Sequence, residues 1–191
     1  KRLFIYVIMK SIGLIQKENA GLLIIDIQEK LMPVVQNAEQ VFANTNRLIK
    51  GAQLLEIPII VTEQYPKGLG NTCTSIEIPT QIQPIEKMCF SCMQSDSVLQ
   101  QLKKQNITSL IIAGVEAHIC VLKTALDALD AGLEVHIVAD AVSSRTIANK
   151  QLALERMRQS SAYIVSTEMI LFQLIHEAGT DAFKTISRLI K

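Results

Sequence analysis

The 191-residue sequence lacks the features that mark several special classes of protein. It has no tract rich in proline or glycine, since its five prolines and eight glycines are spread along the chain. About half of its residues (49%) are apolar, so one substantial core can form without a metal or disulfides. No apolar run is long enough to cross a bilayer, which argues against a membrane protein. We therefore expect one folded domain.

The sequence also has no excess of either charge and has few cysteines. Its net charge is +1, with acidic and basic residues interspersed, so no basic stripe indicates a nucleic-acid partner. A small neutral or anionic molecule is the expected substrate. The four cysteines are irregularly spaced, at positions 73, 89, 92 and 120, which favours free thiols in a reducing compartment. A cytoplasmic protein is expected.

The N-terminal segment resembles a signal peptide, because two basic residues precede a short apolar run. That run ends at Lys10 after seven residues, and no small-residue cleavage site follows. A secretory signal is therefore not expected. Because the first residue is not methionine and Met9 precedes an ordinary polar leader, residues 1–8 are interpreted as an upstream extension. The predicted organisation is a leader over 1–19 and one domain over 20–191.

The rest of the chain alternates strand-like apolar runs with segments whose apolar residues recur at helical spacing. This alternation is typical of βαβ units. It predicts a single three-layer α/β/α domain around a six-stranded, mostly parallel, doubly wound (Rossmann-like) sheet. The predicted strands span 21–26, 57–62, 85–89, 107–114, 133–138 and 162–165, and the predicted helices span 34–55, 97–105, 120–131, 147–160, 169–178 and 181–190.

A cysteine stands where the fourth predicted strand gives way to a helix. The run from Thr108 is apolar up to Gly114, and the chain then delivers Cys120 to the start of the helix. Unpaired N–H groups and a partial positive charge at a helix N-terminus lower the pKa of a thiol and suit a developing oxyanion. The pattern predicts an activated nucleophile, although a small buried apolar residue is the alternative for any single cysteine.

Other reactive side chains fall at strand ends as well. In doubly wound sheets ligands bind beyond the carboxyl ends of the strands. Asp26, the Thr62-Glu63 pair, Lys87 and the 116–120 loop all lie at or near such ends. A carboxylate can accept the proton of a thiol, and an ammonium can stabilise the thiolate. One crevice is therefore expected to gather these groups.

Three stretches of the chain resemble the motifs of the isochorismatase-like cysteine hydrolases. Their order, spacing and local chemistry all agree, and the resemblance runs from about residue 20 to 190. Further stretches at 62–70, 140–145 and 156–160 look most like the isochorismatase domain-containing proteins, a subgroup that largely lacks an assigned substrate. The three motifs read Leu22-Leu-Ile-Ile-Asp26-Ile-Gln-Glu, Glu86-Lys87-Met-Cys-Phe90-Ser and Gly114-Val-Glu-Ala-His-Ile-Cys120-Val.

The resemblance implies a catalytic triad in which Cys120 is the nucleophile, Asp26 its base and Lys87 the supporting cation. It also implies a cis peptide bond between Val115 and Glu116, so that the backbone amides of Glu116 and Cys120 form an oxyanion hole. The implied reaction is attack of the thiolate on a small amide-like substrate, loss of ammonia or a small amine, and hydrolysis of a thioester. No cofactor is implied.

The region after the second strand departs from the pattern of nicotinamidases in the same superfamily. Those enzymes bind a metal there through an Asp-x-His pair and a further histidine, whereas this chain reads Thr62-Glu-Gln-Tyr65 and has no histidine before His118. No metal site is therefore expected. For the residues after the strand, holding the 63–80 loop is the alternative to lining the pocket. The substrate-binding candidates are Glu63, Gln64, Tyr65, Phe90 and His118.

Several alternatives stay open. The chain could be a thiol-reactive or regulatory binding protein in which Cys120 is modified without amide turnover, or a true isochorismatase that hydrolyses a vinyl ether. The Cys89-x-x-Cys92 pair has no second such pair, so two thiols beside the pocket entrance are favoured over a redox or zinc site. A nuclease is disfavoured, because neither a metal-carboxylate cluster nor a basic track is visible. Apolar helix faces near 34–55 and 169–190 favour a homo-oligomer.

Overall fold

The computed structural model describes residues 12–191, and the predicted extension over residues 1–8 lies outside that range. Six parallel strands form one sheet in the order β3-β2-β1-β4-β5-β6. The strands are β1 (Ala20–Ile25), β2 (Ile59–Gln64), β3 (Ile85–Lys87), β4 (Ser109–Val115), β5 (Glu134–Ser143) and β6 (Tyr163–Val165).

Helices connect the strands and close both faces of the sheet. Short 3-10 turns at Lys17–Asn19, Met32–Val34 and Cys92–Gln94 and one π-helical turn at Ala117–Val121 complete the connections. In the described part of the chain the α-helices are α1 (Ala38–Leu54), α2 (Pro66–Leu69), α3 (Asp96–Lys104), α4 (Leu122–Asp130), α5 (Ile147–Gln159), α6 (Thr167–Gln173) and α7 (Asp181–Ile190).

Two apolar layers hold the sheet between the helices. Strand β1 is buried along its whole length, as expected of a central parallel strand covered on both faces. Side chains of α1, α6 and α7 cover one face, and side chains of α3, α4 and α5 cover the other. The predicted three-layer α/β/α domain is confirmed, and the sheet is parallel throughout. Ile15, which precedes the predicted domain start at residue 20, is buried against the first layer.

Several predicted boundaries were wrong for local reasons. The helix predicted from residue 34 begins at Ala38, because Asn37 has a left-handed φ of 54° and a 3-10 turn precedes it. The strand predicted over 85–89 ends at Lys87, because the chain turns so that the carbonyls of residues 89 and 90 face the Lys87 ammonium. The helix predicted over 169–178 ends at Gln173.

The order of the strands places one switch point in the middle of the sheet. The chain leaves β1 toward β2 and β3 on one side and returns to β4 on the other, and doubly wound sheets bind their ligands at such a point. Gly114 has a φ of 118° near the end of β4, and a Cβ atom there would collide with the Ile25 backbone. Only glycine therefore lets the ends of the two central strands approach so closely.

Candidate active site

Asp26 is the first residue beyond β1, and its carboxylate is completely buried. Its left-handed φ of 53° turns the chain out of the strand. One carboxylate oxygen, Oδ1, accepts a 2.7 Å hydrogen bond from the Thr62 hydroxyl, and the other, Oδ2, accepts a 2.7 Å bond from Lys87 Nζ. Since a buried carboxylate is stable only with such partners, these bonds fix the position of the Asp26 side chain.

The Lys87 ammonium lies at the centre of a polar cage. Besides Asp26 it donates to Gln64 Oε1 at 2.8 Å and, over longer distances, to the carbonyls of Cys89 and Phe90. Burial by itself would lower the pKa of Lys87, but the Asp26 carboxylate and the neighbouring thiols raise it above its usual value. Lys87 is therefore a permanent cation at neutral pH, and its N–H groups are already engaged by the protein.

Cys120 lies in the π-helical turn that joins β4 to α4, and only 6% of its surface is exposed. Burial raises its pKa well above the usual value, and the Asp26 charge and a hydrogen bond to Asp26 raise it further; the Lys87 charge opposes this. The prediction of a thiol activated by its position alone was therefore wrong. Burial and the Asp26 charge thus favour the neutral thiol over the thiolate in this site.

Glu116 follows β4 directly, and the peptide bond before it, from Val115, is cis. Its carboxylate is buried and accepts bonds from three Arg145 nitrogens, the backbone N, Nε and Nη2. These hydrogen bonds lower the pKa of Glu116, against the opposing effect of burial. The side chain of Glu116 thus ties the loop of the nucleophile to the loop after β5.

His118 joins the same two loops. Its Nδ1 lies 3.0 Å from Ser144 Oγ, and its Nε2 lies 3.4 Å from Asn149 Nδ2. Both ring nitrogens therefore have protein partners, and the ring sits at the rim of the site as a structural link. The contact of His118 with substrate therefore stays a prediction.

The three candidates at the end of β2 have different surroundings, and the first two still belong to the strand. Glu63 Oε1 accepts from the backbone and the hydroxyl of Thr72, so it holds the 63–80 loop. Gln64 orients Lys87 with its oxygen and donates to the Met88 carbonyl. Tyr65 is 47% exposed at the mouth. Glu63 therefore has the structural role that was the alternative in the sequence, whereas the Gln64 side chain contacts the Lys87 ammonium.

Phe90 and the strand ends form the outer rim of the site. Phe90 is 59% exposed, and its carbonyl rather than its ring contacts Lys87. A cavity of about 360 Å³ opens beside the rim, between Tyr65 and Met88. A cavity of about 490 Å³ lies at the opposite, amino end of β2, near Pro58 and Gln105, and is remote from the thiol for that reason.

Two further residues of the site, Arg145 and Gln28, were missed in the sequence. The carboxamide of Gln28 bonds the backbone N and O of Gln64 and the carbonyl of Gly70. Thr62 was expected at a strand end near the crevice, but its contact with Asp26 was not predicted. Its side chain is fully buried beside that carboxylate.

Cys92 lies beneath the site and not beside its entrance, so that expectation was wrong. It is fully buried, its Sγ lies 3.8 Å from Thr62 Oγ1, and its backbone N donates to Thr124 Oγ1. Cys89 is half-buried, and all four cysteines are free thiols. Within residues 12–191 no group of His, Cys, Asp and Glu side chains could hold a metal ion, and no helix is long and apolar enough to span a membrane.

Comparison with known proteins agrees with this geometry. Residues 20–169 match the isochorismatase domain. The chain belongs to the isochorismatase family. The matched segment contains Asp26, Lys87 and Cys120, so the residues that meet at the switch point all lie inside the isochorismatase domain.

Relatives in the isochorismatase family resemble the chain over nearly its full length. Isochorismatase domain-containing protein 2A of Mus musculus is 40% identical and matches over 95% of this chain and 87% of its own. Secreted isochorismatase effector Isc1 of Phytophthora sojae is 39% identical over 95% of this chain and 89% of its own. A solved structure named MAR1 ribonuclease from Caenorhabditis elegans is 35% identical, with a TM-score of 0.87, and covers 92% of this chain and 91% of that one. Membership of the family indicates a hydrolase.

Proposed function

We propose that the protein is a cysteine hydrolase that cleaves a small amide-like substrate through Cys120, Asp26 and Lys87. The observation that carries the proposal is the set of contacts around Asp26. This carboxylate bonds the Lys87 ammonium at 2.7 Å and the Cys120 thiol, in a site closed to water at its base. A nucleophile and a cation that both interact with one base are the parts that covalent acyl transfer needs.

The first half of the reaction transfers the acyl group to sulfur. As Cys120 Sγ attacks the carbonyl carbon, its proton passes to Asp26, and the carbonyl oxygen takes up negative charge. The backbone amides of Glu116 and Cys120 stabilise that oxyanion. Asp26 then gives the proton to the leaving nitrogen, the C–N bond breaks, and an amine or ammonia departs. A thioester remains on Cys120.

Water completes the cycle. Asp26 accepts a proton from the water that attacks the thioester, the C–S bond breaks, and the proton returns to the sulfur as the carboxylic acid leaves. Amide and water are thus converted into acid and amine with the enzyme unchanged. Lys87 makes this cycle feasible because its fixed charge stabilises both the thiolate and the Asp26 carboxylate in a poorly solvated site.

The raised pKa of Cys120 favours this reading over a thiol-reactive regulatory protein. Sensor thiols are usually exposed and of low pKa, so that oxidants find the thiolate. Cys120 is buried and burial raises its pKa, so in the proposed mechanism the thiol loses its proton as it attacks. We further propose that Tyr65, Phe90 and His118 contact the substrate at the rim, where apolar and aromatic surface is exposed.

The test is ammonia release from a panel of small amides by the wild type and by Cys120→Ala, with intact-mass detection of the acyl adduct. Cys120→Ser is the matched variant, because it places a hydroxyl of similar size where the thiol was. We expect turnover and an adduct in the wild type and neither in the variants. Turnover that survives in Cys120→Ala, or no amide turnover accompanied by vinyl-ether hydrolysis, contradicts the proposal.

Assembly and compartment are part of the same proposal. Val34, Met169 and the rim residue Met88 expose more than half of their surface, which supports association of identical chains. Four unpaired cysteines support a cytoplasmic location. Light scattering of the purified protein and fractionation of cells test the two statements, and a monomer or a secreted product contradicts them.

A further inference from the structure

A hydrogen-bonded chain leads from α4 to Asp26 on the side away from Lys87. Thr124 Oγ1 accepts from the Cys92 backbone at 2.9 Å, Cys92 Sγ lies 3.8 Å from Thr62 Oγ1, and Thr62 donates to Asp26 Oδ1 at 2.7 Å. All four residues are completely buried. None of the three supporting residues belongs to the catalytic set proposed above.

The direction of the bonds in this chain follows from the number of hydrogens. A threonine hydroxyl has one hydrogen to donate, and Thr62 gives it to Asp26. The hydrogen between Thr62 and Cys92 must therefore come from the Cys92 thiol. Burial raises the pKa of Cys92 to about 11, so the thiol keeps its hydrogen at neutral pH.

We propose that Thr62 and Cys92 are positioning residues that direct the hydrogen bond of Thr62 onto Asp26 Oδ1 and so hold Asp26 ionised and oriented toward Cys120. The inference deepens the proposed function, on which it rests for its catalytic consequence. Lys87 donates to Oδ2, so the second bond, from Thr62 to Oδ1, fixes the rotation of the carboxylate group. Because the Cys92 thiol donates to Thr62, the Thr62 hydroxyl does not donate to the sulfur and stays directed at Asp26.

Three titratable groups within residues 12–191 interact with Asp26. They are Lys87 from β3, Cys120 from the π-helical turn and Cys92 from the 3-10 turn. The pKa of the lysine and of both thiols is raised, so none of these three groups changes its charge below pH 7. Differences between variants in the Asp26 resonance over that range therefore report changes in its hydrogen bonds.

The experiment follows the Asp26 ¹³Cγ resonance with pH in protein labelled at aspartate, assigned by comparison with Asp26→Asn. Thr62→Val is expected to move the midpoint of the titration up by about one pH unit, because it removes a hydrogen bond to the ionised form. Thr62→Ser restores the hydroxyl and is expected to return the midpoint to that of the wild type. Cys92→Ala is expected to cause a smaller upward shift.

Thr45→Val is the matched control. Thr45 in α1 is also a fully buried threonine, but its Oγ1 has no hydrogen-bond partner among residues 12–191. It should leave the Asp26 titration unchanged. If Thr62→Val does not fold, Thr62→Ala removes the same hydroxyl with less bulk at the branch point and takes its place.

The second readout is the hydrolysis of an amide taken from the panel above. Thr62→Val should lower kcat by roughly tenfold to hundredfold with little change in KM, and Thr62→Ser should recover most of it. The inference is overturned if the midpoint of the Asp26 titration does not shift in a folded Thr62→Val protein. It is also overturned if the midpoint shifts as far in Thr62→Ser as in Thr62→Val. A shifted titration in a protein that hydrolyses no amide upholds the positioning pair and refutes the proposed function.

Discussion

Two ion pairs stand at the ends of the two central strands, and they differ in their access to water. Lys87 and Asp26 lie 2.7 Å apart with both side chains 0% exposed, whereas Arg145 and Glu116 lie 2.6 Å apart with the arginine 55% exposed. Water can replace the arginine but cannot reach the lysine. The inner pair therefore sets the charge at the reacting sulfur, while the outer pair fastens a loop.

The largest effect is expected from breaking the inner pair. Lys87→Met leaves the Asp26 charge buried without a cation, and such a loss typically costs about 3–5 kcal/mol of folding free energy. Hydrolysis should fall by more than about a thousandfold. Chemical denaturation and amide turnover measure the two losses.

The control is Lys184→Met, which breaks an ion pair with Asp181 whose two side chains are mostly exposed. It should leave both the unfolding midpoint and the turnover unchanged. If Lys87→Met changed stability and turnover as little as Lys184→Met, the buried pair would be no more important than the exposed one, against this prediction.

Removing the other member of the inner pair should separate thiol reactivity from catalysis. The Asp26 carboxylate raises the pKa of Cys120, so Asp26→Asn is expected to lower it. Alkylation of Cys120 by iodoacetamide at pH 8 should then accelerate by roughly tenfold or more, while amide hydrolysis disappears for want of a base. Peptide mass spectrometry follows the alkylation, and a slower reaction in the variant would refute the assigned role of Asp26.

A smaller effect is expected at the outer pair. Arg145→Gln removes the guanidinium that lowers the pKa of Glu116, and turnover should fall by roughly tenfold because the loop of the nucleophile loses its tie. A carboxyl of lowered pKa stabilises the fold above the pKa of the unfolded state, and this contribution is lost as the pH falls through the folded value. Acid unfolding of the variant should therefore begin at a higher pH than in the wild type.

Arg145→Lys sharpens that measurement, because it keeps the charge but cannot form the paired contacts of a guanidinium. It should fall between the wild type and Arg145→Gln in both acid unfolding and turnover. Equal acid unfolding of all three proteins would show that the outer pair does not stabilise the loop.

The smallest effect is expected at the rim. The contact of Cys89 with Lys87 uses its carbonyl oxygen, so Cys89→Ser should change turnover and stability less than twofold. Its neighbour in the C-x-x-C pair, Cys92, is fully buried, and Cys92→Ser is expected to be the more harmful of the two. Side-by-side assays of the two serine variants test this order, and equal losses would contradict it.

The sequence was sufficient for the sheet and for the strand ends that carry Asp26, Lys87 and Cys120, because apolar runs and their breaks are local signals. It was misleading about the thiol. A helix end can be seen in the sequence, but desolvation by the layers packed around Cys120 cannot. Thr62 and Arg145 were missed as partners because their contacts join residues that are 36 and 29 positions apart.

The predicted helix ends were wrong for a related reason. Asn37 interrupts the helical pattern with a left-handed backbone, and Glu116 to Val121 form a wider π turn, although the apolar spacing continues through both. Such departures from regular geometry often occur near functional sites. They are determined by the contacts that the turn makes in three dimensions, which periodicity does not contain.

Gln28 carries a consequence for how relatives of this protein can diverge. Its carboxamide holds the end of β2 and the turn at Gly70 through backbone atoms alone. Every amino acid except proline supplies those atoms, so side chains of the loop after β2 that make no such contact can change without loosening the strand end beside Asp26. New substrates can thus be explored in the loop while the chemistry beneath it is inherited intact.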